Sequence, residues 1–467
     1  MNVSEWLNSR DAIEKSRKSY AHFDYRTDIQ EQATYISNPE KVAKHGFLPF
    51  IHYQQKTVKY DGKKKKEKTR DLFYASHVDG CIFRYYNFVL NELYNRRIIS
   101  EGLSDVAVAY RTDLHLNNID LAKRAFDFIK SNPSCYIMIG DFTSFFDNLD
   151  HQYLKSQWCS LLDSKQMPND HYAVFKNITK YSSWELTDLL ALNGLQDNRK
   201  GHHAINSRPV VLTKSQFAHN RSHITKNHNA FGIPQGSPMS ALLANIYMLD
   251  IDKQINEAVK EANGMYMRYS DDFIIILPTS DKTSAFSFFQ YISTLLNETT
   301  GLKLEESKTQ YFRFADSKII NYDRDFVVSS LYEHKPINFL GFSFDGKKVS
   351  VRQKTIFKYY HHMYRKAKTI ARNGGYTRKG KHISCKNLYR LYSIRGSYAK
   401  DDTALSDANG FNVSQNPSNT KHHGNFLSYI RRAEKCFGTN EAIGKDTRRH
   451  MQKIRKALKK RYYTHER

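Results

Sequence analysis

The sequence predicts an α+β fold with a helical appendage, on three observations. Apolar runs of strand length, at 136–139 and within 265–277, alternate with amphipathic helical patterns in the middle of the chain. The stretch before residue 60 and the stretch beyond Phe344 read as helical instead. At 467 residues a single core is too small an answer, so two to four packed units are expected.

Taken in order, residues 1–60 mix short helical patterns with loops, and Gly46 to His52 (GFLPFIH) is expected to be a buried turn. Lys63 to Lys66 is a run of lysines, read as a solvated loop placed to touch phosphates. Ser76-His-Val-Asp79 has the form of a capping box. Ile82, Tyr85, Tyr86, Val89, Leu90 and Leu93 then line one face of a helix of about five turns. Val106 to Tyr110 is a short strand candidate and Leu121 to Ile129 a second amphipathic helix. An apolar strand, Tyr136 to Ile139, runs into Asp141. Residues 160–230 read as irregular, polar and rich in histidine. A long helix is expected from Ser237-Pro238, with Ser as N-cap and Pro at the first helical position, on through Ile255 and Val259. Met265 to Leu277 reads strand, acidic turn, strand.

Composition narrows the function. Lys and Arg number 72 against 47 Asp and Glu, a net charge of +25 that points to a polyanionic partner. The 31 Tyr and 28 Phe are spread along the chain, which excludes disorder. No run approaches the roughly 18 apolar residues that would span a bilayer. The start, MNVSEWLNSRDAIEKSRK, lacks the apolar core of a signal peptide, so a cytoplasmic protein with no membrane partner is expected. The five cysteines are dispersed, which fits reduced thiols and neither a disulfide framework nor a zinc ribbon. His202, His203, His219, His223 and His228 have no Cys partner and no HExxH helix, and are read as a polar insertion.

Three segments carry chemistry. In MYMRYSDDFIIIL two apolar strands meet at Ser270-Asp271-Asp272, where adjacent carboxylates repel unless a cation lies between them. An ordinary hairpin would use Asn-Gly or Asp-Gly there. CYIMIGDFTSFFDNLDH delivers Asp141 at the end of a strand. If the two strands are neighbours in one sheet, Asp141 and Asp271 can hold two divalent ions about 4 Å apart, the arrangement that serves in-line phosphoryl displacement. In FGIPQGSPMSALLANIYM a Gln235-Gly236 loop precedes a helix, and the glycine allows a nucleotide or template base close against the backbone.

Together YSDD, the Asp141 strand with FFDNLDH, and GIPQGSPMSALLAN resemble the palm motifs of bacterial reverse transcriptases, the group II intron and retron branch above all. Gln235 lies 94 residues after Asp141, and Asp271 another 36 on. The resemblance covers residues 68–345 and implies a right-hand polymerase: fingers, a palm of antiparallel sheet plus helices, and a basic helical thumb. It implies that Asp141, Asp271, Asp272 and the Phe142 backbone carbonyl hold two Mg²⁺ ions. Arg111 would clamp the triphosphate, and Tyr269 would lie near the primer terminus. Gln235 and Gly236 would contact nucleotide and template, and Phe146 would exclude a 2′-hydroxyl. Lys308 would protonate the leaving pyrophosphate. Phe339, Leu340, Gly341 and Phe342 resemble a primer grip.

The implied boundaries are an N-terminal extension (1–67), fingers (68–135), a palm (136–330) with an insertion at about 151–230, a primer-grip hairpin (331–345) and the thumb with its tail (346–467). ASHVDGCIFRYYNFVLNELY and GLSDVAVAYRT are similar to the abortive-infection and unknown-group enzymes, a class that acts in antiphage defence. Implied partners are an RNA template, a DNA or RNA primer, dNTPs, a dedicated non-coding RNA in some members, and a second copy of the chain. Template-independent or protein-primed DNA synthesis, RNA-dependent RNA synthesis and a catalytically silent RNA-binding assembly protein stay open at this point.

Gly346 to Lys400 holds 16 Lys or Arg and no Asp or Glu. Ile356, Tyr360, Met363, Ala367 and Ile370 recur there at helical spacing, giving an apolar stripe with basic residues on the other faces. Tyr359, Tyr376, Tyr389, Tyr392 and Tyr398 are candidates to stack on sugars or bases.

Overall fold

The computed structural model describes residues 2–60, 65–328, 335–372, 385–397 and 424–462. Helices and strands alternate through the chain, so the fold is α+β. In chain order the strands are β1 (Phe50–Gln54), β2 (Thr57–Tyr60), β3 (Lys65–Lys68), β4 (Asp71–Tyr74), β5 (Ser134–Asp141), β6 (Ser182–Glu185) and β7 (Thr225–Lys226). They continue as β8 (Met265–Tyr269), β9 (Asp272–Leu277), β10 (Gln310–Ala315), β11 (Lys318–Tyr322), β12 (Ile337–Phe339), β13 (Phe342–Phe344) and β14 (Val349–Val351). The chain divides into two compact units. One comprises Met1–Arg111, Gly140–Ile275 and Phe286–Thr309; the other comprises Thr112–Ile139, Ile276–Ala285 and Gln310–Arg467.

The first unit carries a sheet of order β4-β1-β6-β7. Gly46 to His52 is therefore not a buried turn: Phe50 and Ile51 begin β1, which pairs antiparallel with β4 and parallel with β6. Residues 160–230 are not irregular either. Helices Asn169–Thr179, Leu186–Leu192, Arg199–Asn206 and Lys214–His219 flank β6 and β7. Sparse apolar residues make this possible, because Leu186, Leu189, Leu190, Ile205 and Val211 close one core around Ile51 and Trp184. The lysine run is also reassigned in part. Lys65 and Lys66 lie in β3, paired with the β-prone segment 57–60, while Lys63 and Lys64 fall outside the described residues.

Helix His77–Ser100 is longer than expected because Tyr94 and Ile98 extend its buried face. Only half of the capping box forms. Ser76 Oγ accepts from Asp79 N (3.2 Å), but the Asp79 carboxylate meets His45 Nε2 (2.8 Å) and accepts from Leu48 N (2.9 Å). Val106 to Tyr110 forms a single parallel bridge, Ala107 to Arg268, rather than a strand, since Tyr110 turns to φ +63°. The helix expected at Ser237-Pro238 starts at Ser240, runs to Tyr247 and resumes at Leu249–Glu261. Ser237 caps a preceding turn, its Oγ accepting from Met239 N (3.3 Å), and Ser240 Oγ donates to Pro234 O (2.6 Å).

In the second unit β10 pairs antiparallel with β5 and with β11, and β12-β13-β14 form an antiparallel meander. Helix Asn118–Ser131 contains the predicted 121–129 segment and begins with a complete capping box at Asn117. Helix Gln353–Arg372 buries Ile356, Tyr360, Met363, Ala367 and Ile370, the predicted stripe. Helices Lys386–Tyr392, Phe426–Phe437 and His450–Tyr462 follow. Tyr376, Tyr398, residues 401–423 of the polar loop and residues 463–467 of the tail lie outside the described residues. In the first unit the end of β5, Gly140-Asp141, lies beside β9, which neighbours β8. Among the described residues no helix is long and apolar enough to cross a membrane.

Candidate active site

The neighbouring of β5 and β9 meets the condition set by the sequence for bringing Asp141 toward Asp271. Gly140 is required for that contact. A Cβ there would lie 2.3 Å from Cζ of Phe273, the buried ring two residues beyond Asp271. Past the end of β5, Asp141 O accepts from Glu305 N (2.7 Å) and Thr143 N donates to Lys303 O (2.9 Å), making a bridge of Phe142 with Leu304. Lys308 N and Thr309 N both donate to Glu305 O (2.9 Å each), and this turn brings Lys308 Nζ onto Asp141 Oδ2.

The electrostatics follow from that packing. Burial raises the Asp141 pKa above its ordinary value, and the Asp271 charge adds to the rise against the opposing Lys308 hydrogen bond. Burial would lower the Lys308 pKa, but its contact with Asp141 outweighs this and raises it. Asp141 Oδ1 is buried with no hydrogen-bond partner. A buried carboxylate oxygen without a donor is unfavourable on its own terms.

The acidic turn is held from behind by groups that the sequence reading missed. Ser270 takes φ +62°, a left-handed conformation disfavoured for a residue with a Cβ. Its carbonyl accepts from Arg268 NH1 (3.0 Å). The Arg268 side chain is fully buried and grips Asp252 through Nε (2.9 Å to Oδ1) and NH2 (2.6 Å to Oδ2). Tyr266 donates to Asp252 Oδ1 as well (2.7 Å). A signal existed: Arg268 stands inside an apolar strand, and Asp252 lies on the buried stripe with Ile255 and Val259. In front, Tyr269 and Asp271 are half-buried, and Asp272 is exposed at the start of β9.

Gln235 and Phe146 are brought together through backbone contacts. Ile233 N donates to Phe146 O (3.0 Å), and the Gln235 side chain hydrogen-bonds to Asp147. Phe146 is half-buried, with its ring against Phe145. The glycine at 236 already has a structural cause. It takes φ +108°, and a Cβ would lie 2.5 Å from Phe73 O in β4. Arg111 is buried, its NH1 3.5 Å from Ala107 O. In the second unit Phe339 and Phe342 are core residues. Only the turn between them, Leu340 (φ +45°) and Gly341 (φ +92°), is half-exposed, with Leu340 O accepting from Asn118 Nδ2 (3.0 Å).

The donor set suits a hard divalent cation. Mg²⁺ needs only one or two carboxylates and completes its shell with water and substrate phosphates. The partnerless Asp141 Oδ1 and the repulsion between Asp141 and Asp271 fit that requirement. No group of three or more His, Cys, Asp or Glu among the described residues is disposed to hold a metal, the histidines of 202–228 included.

The site is thus a pair of aspartates brought together at adjoining strand ends of an α+β fold. Residues 193–344, about a third of the chain, match the family described as "Reverse transcriptase (RNA-dependent DNA polymerase)". Gln235, the acidic turn, Lys308 and Phe339 to Phe342 lie inside the match; Arg111, Asp141 and Phe146 precede it.

No curated protein is matched. Among solved structures the chain is similar to apo telomerase from Candida tropicalis truncated from its C-terminal domain (TM-score 0.38, 11% identity, 69% of this chain and 59% of that one). It is also similar to apo telomerase from Candida tropicalis (0.36, 13%, 76% and 60%). A third is telomerase from Candida albicans in complex with a TWJ fragment of telomeric RNA (0.38, 13%, 93% and 67%). The chain spans about three fifths of the length of the first two.

Proposed function

We propose that the chain is a reverse transcriptase that adds dNTPs to a primer 3′ hydroxyl on an RNA template. The observation that carries this reading is Asp141 beside Asp271 with Lys308 seated on Asp141. Asp141, Asp271, Asp272 and the Phe142 carbonyl would hold two Mg²⁺ ions, which when bound stabilise the attacking and leaving oxygens of phosphoryl transfer. Lys308 keeps its proton and delivers it to the departing pyrophosphate. Arg111 binds the triphosphate, Tyr269 lies at the primer terminus, and Gln235 and Gly236 meet the base pair being formed. Phe146 crowds the sugar 2′ position and so selects dNTPs. The primer lies along the Leu340-Gly341 turn, and the basic helices of 346–467 follow the duplex backbone through phosphate contacts. Residues 68–135 act as fingers and 136–330 as palm.

The wider setting belongs to the same proposal: a cytoplasmic enzyme of bacterial antiphage defence, working with a non-coding RNA. Its support is the likeness of residues 75–94 and 102–112 to defence-class enzymes. Asp271→Ala with Asp272→Ala tests the chemistry. Primer extension should fall below detection while the circular dichroism spectrum and melting temperature hold. Unchanged extension would sink the assignment. Expression in a phage-sensitive host, with the same double variant as control, tests the defence role through plaque counts.

A further inference from the structure

We infer that Asn245 is a positioning residue that couples the segment bearing Arg111 to the Ser270-Asp271-Asp272 turn. The inference rests on the reading above, in which Arg111 binds nucleotide and the turn binds metal. Asn245 is buried on helix Ser240–Tyr247, and its carboxamide works in both directions. Nδ2 donates to Ala109 O (3.1 Å), and Oδ1 accepts from Arg268 NH1 (3.3 Å). That same guanidinium nitrogen donates to Ser270 O (3.0 Å). Asn245, through Arg268, therefore joins the backbone two residues before Arg111 to the backbone one residue before Asp271.

A second link runs in front. Tyr110 OH lies 3.1 Å from Ser270 Oγ. Tyr110 and Ser270 both hold positive φ, +63° and +62°, although neither is glycine. Such conformations persist only where surrounding contacts over-determine them. The backbone adds Arg268 N to Val106 O (2.8 Å) and Val108 N to Arg268 O (3.1 Å). A shift of the turn thus reaches residues 106–111 through Asn245, Tyr110 and the bridge together. Asparagine is the residue this place needs, because an ionised aspartate accepts but cannot donate to Ala109 O.

Hydrogen exchange on the full chain, read by mass spectrometry with and without Mg²⁺ alone, tests the coupling directly. In the wild type Mg²⁺ should slow exchange at 268–272 and also at 106–111. In Asn245→Asp the response at 268–272 should remain and that at 106–111 should be lost. Tyr110→Phe, at an exposed ring, should reduce the 106–111 response and stands in should Asn245→Asp fail to fold. In primer extension Asn245→Asp should raise KM for dNTP about tenfold, the loss of roughly one buried hydrogen bond, with kcat changed less. Combined with Arg111→Lys, the effect should be smaller than the product of the two. A wild-type 106–111 segment that ignores Mg²⁺, or responds equally in the variants, overturns the inference. A wild type that extends no primer while the coupled exchange response persists would instead refute the polymerase reading alone.

Discussion

The Arg268–Asp252 pair makes the sharpest demand on the fold. Consider Asp252→Ala. The guanidinium it abandons is fully buried and loses three contacts of 2.6 to 3.1 Å, and Tyr266 OH loses its acceptor. Breaking a buried pair by removing one partner costs about 3–5 kcal/mol. An orphaned buried hydroxyl adds about 1–3 kcal/mol. Against a total stability of about 5–15 kcal/mol, that is enough to unfold the first unit or to halve its urea midpoint. Replacing both charges by apolar groups, Asp252→Leu with Arg268→Met and Tyr266→Phe, should restore most of the midpoint. Urea titration followed by circular dichroism reads both variants. The restored protein should still extend primers poorly, since Ser270 O has lost its donor. An Asp252→Ala midpoint matching the wild type, or a triple variant as unstable as the single one, would refute the reasoning.

Three further outcomes are expected. Phe146→Ala should admit ribonucleotides, read by competitive incorporation of rNTP against dNTP; a wild type that already takes both equally would defeat the DNA assignment. Burial holds the His22 pKa at about 3 from an ordinary 6.5. A depressed folded pKa stabilises above 6.5, and that stability drains as pH falls from 6.5 toward 3, about 2 kcal/mol between pH 7 and 5 from this residue alone. His22→Gln should flatten the pH dependence of the urea midpoint by that amount, and an unchanged slope would remove His22 as its source. Replacing exposed Lys354, Lys358, Arg365 and Lys368 by Gln should lower the slope of log affinity for a template–primer against log salt by up to about 3. An unaltered slope would place the phosphate contacts elsewhere.

What the sequence made legible depended on whether the signal was local. The strand ending at Asp141, the strand–turn–strand at 265–277 and the stripe from Ile356 to Ile370 all declare themselves by short-range periodicity, and the structure has them. The sheet built from β1, β4, β6 and β7 did not. Its central pairing joins β1 to β6, more than a hundred residues on, and β6 is only Ser182–Glu185, with one large apolar residue, Trp184. Site residues divided the same way. Asp141, Asp271 and Lys308 carry motif signatures, but nothing in LKLEESKTQ announces that Glu305 N would bind Asp141 O and so deliver Lys308. Gly236 is the converse case: a functional reason was legible in the sequence, while the close approach of Phe73 O, which also demands a glycine, was not.

Charge is where local pattern and tertiary structure explain each other. Residues 346–467 hold 30 Lys or Arg against 7 Asp or Glu, and residues 1–345 hold 42 against 40. Almost all of the +25 therefore sits beyond the last motif. Along helix Gln353–Arg372 every third or fourth residue is core, so the lysines and arginines between them have nowhere to go but solvent. In the first unit, by contrast, Arg268 and Asp252 go inward as a matched pair, while Lys308 meets Asp141 from an exposed position. Salt screens the exposed set within about 8–10 Å and barely touches a buried pair. The exposed basic faces and the buried Arg268–Asp252 support behind the acidic turn are therefore separate sets of charges, and ionic strength weakens the first while leaving the second intact.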